Sequence, residues 1–210
     1  MKFLNGLQPT FDLTYDDVFM VPSRSSVGSR TGVDLTTDDA TGTTIPLVVA
    51  NMTAVAGKRM AETVARRGGL TIIPQDIPVD VVTDTVTQVK AAHLVYDTPV
   101  TVKPHHTCGY TLGLIPKRSH GAAVVVDPDT NRPIGMVDLD DVSGVDRFTQ
   151  VREVMTTELL TLPAGIDSRE AFDRLRAARR KLAPVVGADG ELVGLLTRSG
   201  AVRSTIYAPA

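Results

Sequence analysis

Two short segments of this sequence carry side chains suited to binding a sugar phosphate. The first, GMVDLDD, starts at Gly135, and the second, GLLTRSG, starts at Gly194 about 60 residues later. A carboxylate such as that of Asp141 accepts hydrogen bonds from vicinal sugar hydroxyls, and a hydroxyl such as that of Thr197 donates to a phosphate. Each segment has only half of this pair, because Asp138 stands at the position of Thr197 and a glycine stands at that of Asp141. A ligand would meet both groups only where the two segments come together.

Several basic side chains lie near these segments and would add positive charge for phosphate groups. They are Arg179, Arg180, Lys181 and Arg198. Guanidinium groups form paired hydrogen bonds with phosphate oxygens, whereas an ordinary solvated helix end would carry the same residues. His120, just before a glycine, either lines the same cleft or ends a helix.

The elements that position these side chains occur twice. Val100 and Leu160, Gly135 and Gly194, and Ala122 and Ala183 are 60, 59 and 61 residues apart, and such a constant period indicates two copies of one structural unit. Two such copies could hold a ligand between them, and this arrangement indicates a regulatory role. The predicted elements are a strand (100–102 and 160–162), a helix (108–117 and 168–179) and a strand pair (122–126 with 134–137, and 183–186 with 192–196). Asp167 or Ser168 is the expected cap of the second helix.

The residues before the repeat predict a different, α/β arrangement. Apolar runs predict strands over 14–22, 45–50 and 70–73, the second of them buried on both faces, with a loop and one short strand over 23–43. Helices are expected over 56–67 and 79–94, the first with one apolar face and one charged face. Strands alternating with helices favour parallel βαβ packing, as at the start of a (β/α)8 barrel, although a flavodoxin-like start has the same pattern. Two such units alone would leave apolar strands uncovered.

Composition excludes several classes of protein. The net charge is −2, aromatic residues are few and Trp is absent, so a nucleic-acid partner is not expected. No apolar run is long enough to span a membrane, and the N-terminus resembles no secretory signal. The single cysteine, Cys108, fits a cytoplasmic location, and with only His105 and His106 nearby it predicts no metal site.

The first segment resembles the IMP dehydrogenase / GMP reductase family. TYDDVFMVP (14–22) is similar to the family's N-terminal stretch, and IPLVVANMTAVAGKRMAETVARRGGLTIIPQ (45–75) is similar to its first two barrel units. The resemblance implies that residues 1–94 begin a TIM-barrel catalytic domain. It also implies an inserted pair of CBS modules over 95–206, with copies at about 97–145 and 155–205, and a return to the barrel at 207–210.

The repeat resembles such a tandem CBS (Bateman) module, which binds ATP or GTP in clefts between its copies. Each glycine segment keeps half of the family's nucleotide motif, which ends in Thr-x-x-Asp, so the resemblance implies either one composite site or one weak site beside a degenerate one. The resemblance implies that the regulatory nucleotide contacts these residues: Val100, His120, Ala122, Asp141, Thr161, Lys181, Ala183, Thr197 and Arg198.

The resemblance also implies an activity. Asn51 and Met52, in the turn after the first strand of the barrel, would contact the purine nucleotide and match the reductase branch, whereas CBS modules are typical of the dehydrogenase branch. We therefore expect GMP reduction with NADPH, or alternatively IMP oxidation with NAD and a potassium ion. A non-enzymatic nucleotide sensor and a purely structural module are further alternatives. Thr53 and Pro74-Gln75-Asp76 depart from the family pattern, which puts cofactor contacts of that loop in doubt.

In the family the catalytic cysteine lies later in the barrel, so no catalytic residue is expected in this chain and Cys108 is expected to be a buried thiol. The resemblance implies a homotetramer or a homo-octamer.

Overall fold

The computed structural model describes residue 3 and residues 6–206 of an α/β fold; the predicted return to the barrel, Tyr207–Ala210, lies outside the described residues. The chain divides into two compact units, residues 1–35 and residues 36–210. The first unit contains two 3-10 turns, Tyr15–Asp17 and Arg30–Gly32, and its described residues form no strand. The strands predicted over 14–22 and within 23–43 are therefore wrong. The Asp17 carboxylate accepts hydrogen bonds from the backbone and hydroxyl of Thr14, both 2.9 Å, and this closes a turn where a strand was expected.

The second unit contains the regular elements of the described chain. Its strands are β1 (Val48–Val49), β2 (Leu70–Thr71), β3 (Val100–Val102), β4 (Ala122–Val126), β5 (Pro133–Asp138), β6 (Leu162–Pro163), β7 (Leu182–Val186) and β8 (Leu192–Thr197). Its α-helices are α1 (Lys58–Ala65), α2 (Val79–Ala91), α3 (Cys108–Leu112), α4 (Leu139–Val142), α5 (Ser168–Ala177) and α6 (Arg198–Ile206).

The β1-α1-β2-α2 segment forms a parallel strand pair, as the sequence pattern predicts. β1 is not buried on both faces, and that prediction is wrong, since Val48 is 59% exposed. The sheet has only two strands, and Leu47, Val48, Leu70 and Ile72 remain 36–59% exposed within the described residues. The prediction that two such units alone leave apolar side chains uncovered is confirmed.

The repeat folds as two three-stranded sheets of the same topology. In the orders β3-β4-β5 and β6-β7-β8, the first pair is parallel and the second antiparallel. The predicted strand β4 has the expected bounds, and β5, β7 and β8 are each one or two residues longer. Val124 and Val126 of one sheet pack with Leu192 and Leu195 of the other, so the two copies share a core.

Each copy is completed by the residues that lead into the first strand of the other copy, which we call the leading segments (95–98 and 154–157). Asp97, before the first strand of copy one, exchanges two backbone hydrogen bonds with Leu195 of copy two (2.8 and 2.9 Å). Thr156, before the first strand of copy two, makes the same exchange with Met136 of copy one (both 2.9 Å). Both partners are 59 residues apart in the two exchanges, so the copies are related by an approximate two-fold relation.

Packing at the crossings alone explains why the two predicted phosphate-binding segments begin with the glycines Gly135 and Gly194. A Cβ atom on Gly194 would lie 2.7 Å from the Cβ of Tyr96, and one on Gly135 would lie 2.5 Å from the Sδ of Met155. Only glycine lets the leading segments lie this close to the strands.

The helices of the repeat follow the prediction with one interruption. Asp167 caps α5 by accepting hydrogen bonds from the N–H groups of Arg169 (2.9 Å) and Glu170 (3.1 Å), as expected. The helix predicted over 108–117 instead ends at Leu112 and resumes as a 3-10 turn, Ile115–Lys117. Pro116 in that turn has no N–H group and cannot extend an α-helix. Among the described residues no helix has the length and hydropathy needed to cross a membrane.

Candidate functional site

A cavity of about 350 Å³, which we call cleft A, lies between α1, the segment 117–120 and the start of α6. Helix α1 contributes Arg59, Met60, Thr63, Arg66 and, just beyond its end, Arg67. The repeat contributes the remaining lining residues, Asp97, Lys117, Arg118, Ser119, His120, Thr197, Ser199 and Arg203. Cleft A therefore has one wall from the βα segment and the others from both copies of the repeat.

A buried ion cluster fixes α1 against the repeat behind this wall. Glu62 is 3% exposed, and its carboxylate pairs with Arg66 (2.6 Å) and with Arg118 (2.9 Å). The Thr98 hydroxyl donates a further hydrogen bond to Glu62. Burial opposes ionisation of Glu62, but the hydrogen bonds from Thr98 and Arg118 and the two guanidinium charges outweigh it, so the pKa of Glu62 lies below its usual value.

Arg66 extends this cluster toward the segment that leads into copy one. Its Nη1 atom lies 3.6 Å from the Asp97 carboxylate, and its Nε donates to the backbone carbonyl of His93 at 2.6 Å. The His93 ring stacks on Tyr96 with ring centroids 3.8 Å apart. The Nη2 atom of Arg66 also donates to the Thr98 hydroxyl at 3.1 Å, so one guanidinium group links α1 to three residues of the segment 93–98.

His120 is a neutral group at the edge of cleft A. Its Nε2 lies 3.3 Å from the Thr98 carbonyl oxygen, where the protonated nitrogen donates. Burial lowers the pKa of His120, and the hydrogen bond to Thr98 opposes that shift only in part. The Nδ1 atom accepts from the N–H of Ala122 at 3.4 Å, so both nitrogens of the neutral ring are bonded to backbone groups at the edge of cleft A.

Cleft A has a large excess of positive charge. Six basic side chains line it, against one lining carboxylate, that of Asp97. Glu62 and Asp97 together balance Arg66 and Arg118, so four basic side chains remain. These are Arg59, Arg67, Lys117 and Arg203, and none of them forms an ion pair with a carboxylate in the described part of the chain. Such a cavity attracts a multiply charged anion.

The structure brings two of the predicted regulatory residues together. His120 and Thr197 line cleft A, although they come from different copies. Val100 lines a neighbouring, wider groove of about 770 Å³ that shares Arg59 and Lys117 with cleft A. Ala122 and Ala183 are buried at the start of β4 and near the start of β7. Thr161, Lys181 and Arg198 are exposed and do not line cleft A.

A much smaller cavity, cleft B, lies beside the other crossing, that of Thr156 with Met136, and Asp138, the counterpart of Thr197, does not line it. It has a volume of about 30 Å³, which is close to the space of a single water molecule, and it is lined by Met136, Thr156, Glu158, Leu159, Leu160, Arg180, Leu182 and Pro184. Asp138 and Asp141 instead form a capping box: Asp138 accepts from the N–H groups of Asp140 and Asp141, and Asp141 accepts from the N–H of Asp138 at 2.8 Å. Thr197 has the matching cap role in copy two, since its hydroxyl accepts from the N–H of Gly200 at 3.0 Å.

The predicted substrate residues lie in the turn after β1. Asn51 is exposed and Met52 is 59% exposed, and the backbone carbonyl of Met52 accepts from the N–H of Ala56 at 2.7 Å. The amide and the thioether are thus free to meet a ligand at the carboxyl end of β1, where barrel enzymes bind substrate.

Cys108 is unsuited to nucleophilic chemistry. It is 1% exposed, and burial together with the charge of Glu153 raises the pKa of its thiol. Within the described residues no group of three His, Cys, Asp or Glu side chains is placed to hold a metal ion.

Sequence reasoning missed the basic residues of cleft A. The charged face of α1, with Arg59, Glu62, Arg66 and Arg67, was evident from the helical spacing, but its contact with the repeat was not. The only available signal was Glu62 among these arginines, because a carboxylate within a basic helix face is a ready partner for arginines from elsewhere.

Most of the chain matches known proteins of one family. Residues 12–192 match the model of the IMP dehydrogenase / GMP reductase domain. The chain is 55% identical over its full length to GMP reductases of Mycobacterium bovis and Mycobacterium tuberculosis, of which it spans 43%. It is 31% identical over 187 residues to the inosine-5'-monophosphate dehydrogenase of Methanocaldococcus jannaschii, covering 88% of this chain and 37% of that protein.

Solved structures give the same family. The GMP reductase of Trypanosoma brucei in complex with guanosine 5'-triphosphate superimposes with a TM-score of 0.62 at 28% identity, covering 92% of this chain and 48% of the other. A variant of that enzyme with guanosine 5'-monophosphate also gives a TM-score of 0.62, at 27% identity, with 96% and 44% covered.

Proposed function

Because the chain belongs to the IMP dehydrogenase / GMP reductase family, we propose that it is the N-terminal part of a nucleotide-regulated GMP reductase. The observation that carries this is the 55% identity over all 210 residues to mycobacterial GMP reductases. The chain spans less than half of those relatives, so the reaction is a property of the longer enzyme. The enzyme would remove the amino group of GMP as ammonia and deliver hydride from NADPH, giving IMP.

Residues of this chain would take part in substrate binding and not in the chemical step. Asn51 offers an amide donor and acceptor, and Met52 a flexible apolar surface, to the purine nucleotide at the carboxyl end of β1. Cys108 does not fit the nucleophile, since it is buried with a raised pKa. We propose that the catalytic cysteine and the groups that bind NADPH come from the rest of the barrel.

The repeat would serve as a tandem CBS module that binds ATP or GTP in cleft A. Thr197 and His120 face this cavity from different copies, and Asp97 supplies a carboxylate for sugar hydroxyls that copy two lacks at Gly200. The volume of about 350 Å³ is within the range of small-molecule sites. Binding would regulate the enzyme if the nucleotide prefers one of its conformations.

Inosine-5'-monophosphate dehydrogenase activity, with NAD and a potassium ion, is the second candidate, favoured by the 31% identity to an archaeal dehydrogenase. A cytoplasmic homotetramer or homo-octamer fits either activity. A nucleotide sensor without enzymatic activity is the remaining alternative.

Absorbance of the reduced cofactor tests the proposal on the full-length protein. GMP with NADPH is offered in one cuvette, and IMP with NAD and potassium in another. Loss of NADPH only in the first establishes GMP reduction. A rise in NADH only in the second identifies the dehydrogenase, and no change in either, with ATP or GTP still bound, identifies the sensor.

A further inference from the structure

We propose that the triphosphate of the regulatory nucleotide binds between α1 and the repeat, with Arg59 and Arg67 as ligand-binding residues. The nucleotide would then bridge the βα segment and the repeat. This inference rests on the proposed regulatory function, and it adds a contact that the repeat alone cannot supply.

The placement of charge on α1 is the first support. Arg59, Thr63 and Arg66 are spaced by four and three residues, so they share one face of the helix, and that face lines cleft A. Arg66 is held by Glu62 and Asp97. Arg59 makes only a long hydrogen bond to the Lys117 carbonyl (3.4 Å) among the contacts of the described residues, and both Arg59 and Arg67 are exposed toward solvent.

The opposite wall presents matching charge. Lys117 precedes β4 and Arg203 belongs to α6, so the free cations of cleft A come in equal number from the βα segment and from the repeat. A triphosphate carries several negative charges along a flexible chain, and it can contact both walls at once. A nucleoside without phosphates gains nothing from this arrangement.

The rigidity of the α1 wall is the second support. Glu62 anchors the helix through Arg118 and Thr98 of the repeat, and these groups are shielded from water. The backbone positions of Arg59, on this helix, and of Arg67, just beyond its end, are therefore fixed before any ligand arrives, which lowers the entropic cost of binding.

Isothermal titration calorimetry on the full-length protein tests the inference with GTP, ATP and inorganic tripolyphosphate as separate probes. The double change Arg59→Gln and Arg67→Gln is expected to raise the Kd of the triphosphate that binds by roughly 10- to 100-fold, as the loss of one or two charge-assisted hydrogen bonds predicts. The Kd of GMP or another nucleoside monophosphate should change much less.

The control is the double change Arg174→Gln and Arg176→Gln, which removes two exposed arginines from α5 and should change the Kd by less than about 2-fold.

Arg203→Gln, on the opposite wall, provides an independent variant and should weaken triphosphate binding by roughly 10-fold. Hydrogen exchange adds a structural readout, since GTP or ATP should slow exchange of the α1 amides in the unmodified protein and not in the Arg59/Arg67 double variant.

An unchanged Kd in the Arg59/Arg67 double variant, with normal binding otherwise, overturns the contact with α1 and leaves the proposed function intact. Binding of tripolyphosphate alone, without either nucleotide, overturns the nucleotide assignment. If none of the probes binds, the inference and the regulatory part of the proposed function both fail, while the absorbance assay still decides the enzymatic part.

Discussion

Cleft A and cleft B each lie beside one of the two crossings of the repeat, yet their volumes are about 350 and 30 Å³. At both crossings a leading segment pairs with the last strand of the opposite copy, and the residue that ends that strand caps the next helix. One difference comes from outside the repeat: α1 lines cleft A, where it adds a basic wall, and does not line cleft B. A duplicated fold therefore does not produce duplicated sites, because a neighbouring element can change one of them.

The largest effect on the α1 wall of cleft A is expected from removing the carboxylate that holds α1 in place. Glu62→Gln leaves Arg66 and Arg118 without their main partner in a region shielded from water, and should lower the free energy of unfolding by about 3–5 kcal/mol. Urea denaturation followed by circular dichroism measures this. Glu170→Gln, which breaks the exposed ion pair with Arg174 in α5 (2.7 Å), should cost less than about 0.5 kcal/mol. Equal losses for the two variants would contradict the role of the buried cluster.

The difference in stability between the unmodified protein and the Glu62→Gln variant should depend on pH. The pKa of Glu62 is lower in the folded protein than its ordinary value of 4.5, so its stabilising contribution is present above about pH 4.5 and is lost as the pH falls through the folded pKa. The stabilities of the unmodified protein and the Glu62→Gln variant should therefore converge on acidification. A gap that stays constant down to the acid transition would show that Glu62 is not held as a carboxylate.

Packing of the leading segments offers a second test. Gly194→Ala places a methyl group 2.7 Å from the Cβ of Tyr96, whose ring stacks on His93 and whose hydroxyl accepts from the N–H of Gly165 at 2.8 Å. Because Tyr96 cannot easily move, this change should cost about 1–3 kcal/mol. Gly135→Ala meets the flexible Met155 side chain and should cost less. Thermal unfolding of the two variants gives the comparison, and the reverse order would contradict it.

A smaller effect separates capping from ligand binding. Asp138→Ala and Thr197→Ala each remove a side-chain helix cap and should each lower stability by about 1 kcal/mol. Only Thr197→Ala should weaken binding of ATP or GTP, measured by calorimetry, because Thr197 lines cleft A. Weakened binding in the Asp138→Ala variant would show that nucleotide also binds at the start of α4.

The sequence predicted the elements of the repeat well and the site only in part. Apolar runs between turn residues are local signals, so the strand Ala122–Val126 was predicted with correct bounds. The strand expected over 14–22 failed because β-propensity needs a partner strand, and the Thr14–Asp17 turn is the local alternative. His120 and Thr197, which the resemblance implied as nucleotide contacts, both line cleft A, and their role in binding stays a prediction.

The basic wall of cleft A was not predictable in the same way. Glu62 and Arg118 are 56 residues apart in sequence, and no local pattern indicates that they meet. The role of α1 follows from this tertiary contact. The predicted ribose carboxylate of Asp141 is instead used locally, where it accepts from the N–H of Asp138 at the start of its own helix.

The crossing of the leading segments has a consequence for the order of events during synthesis. Asp97 pairs with Leu195, which the ribosome adds almost 100 residues later. At about 5–20 residues per second the segment before copy one waits roughly 5–20 s for its partner strand. Copy one can pair its own three strands meanwhile, and Thr156 can complete it soon after, but the wall of cleft A that Asp97 forms with copy two closes last. A nascent chain that stops before β8 would therefore contain cleft B in nearly final form and no cleft A.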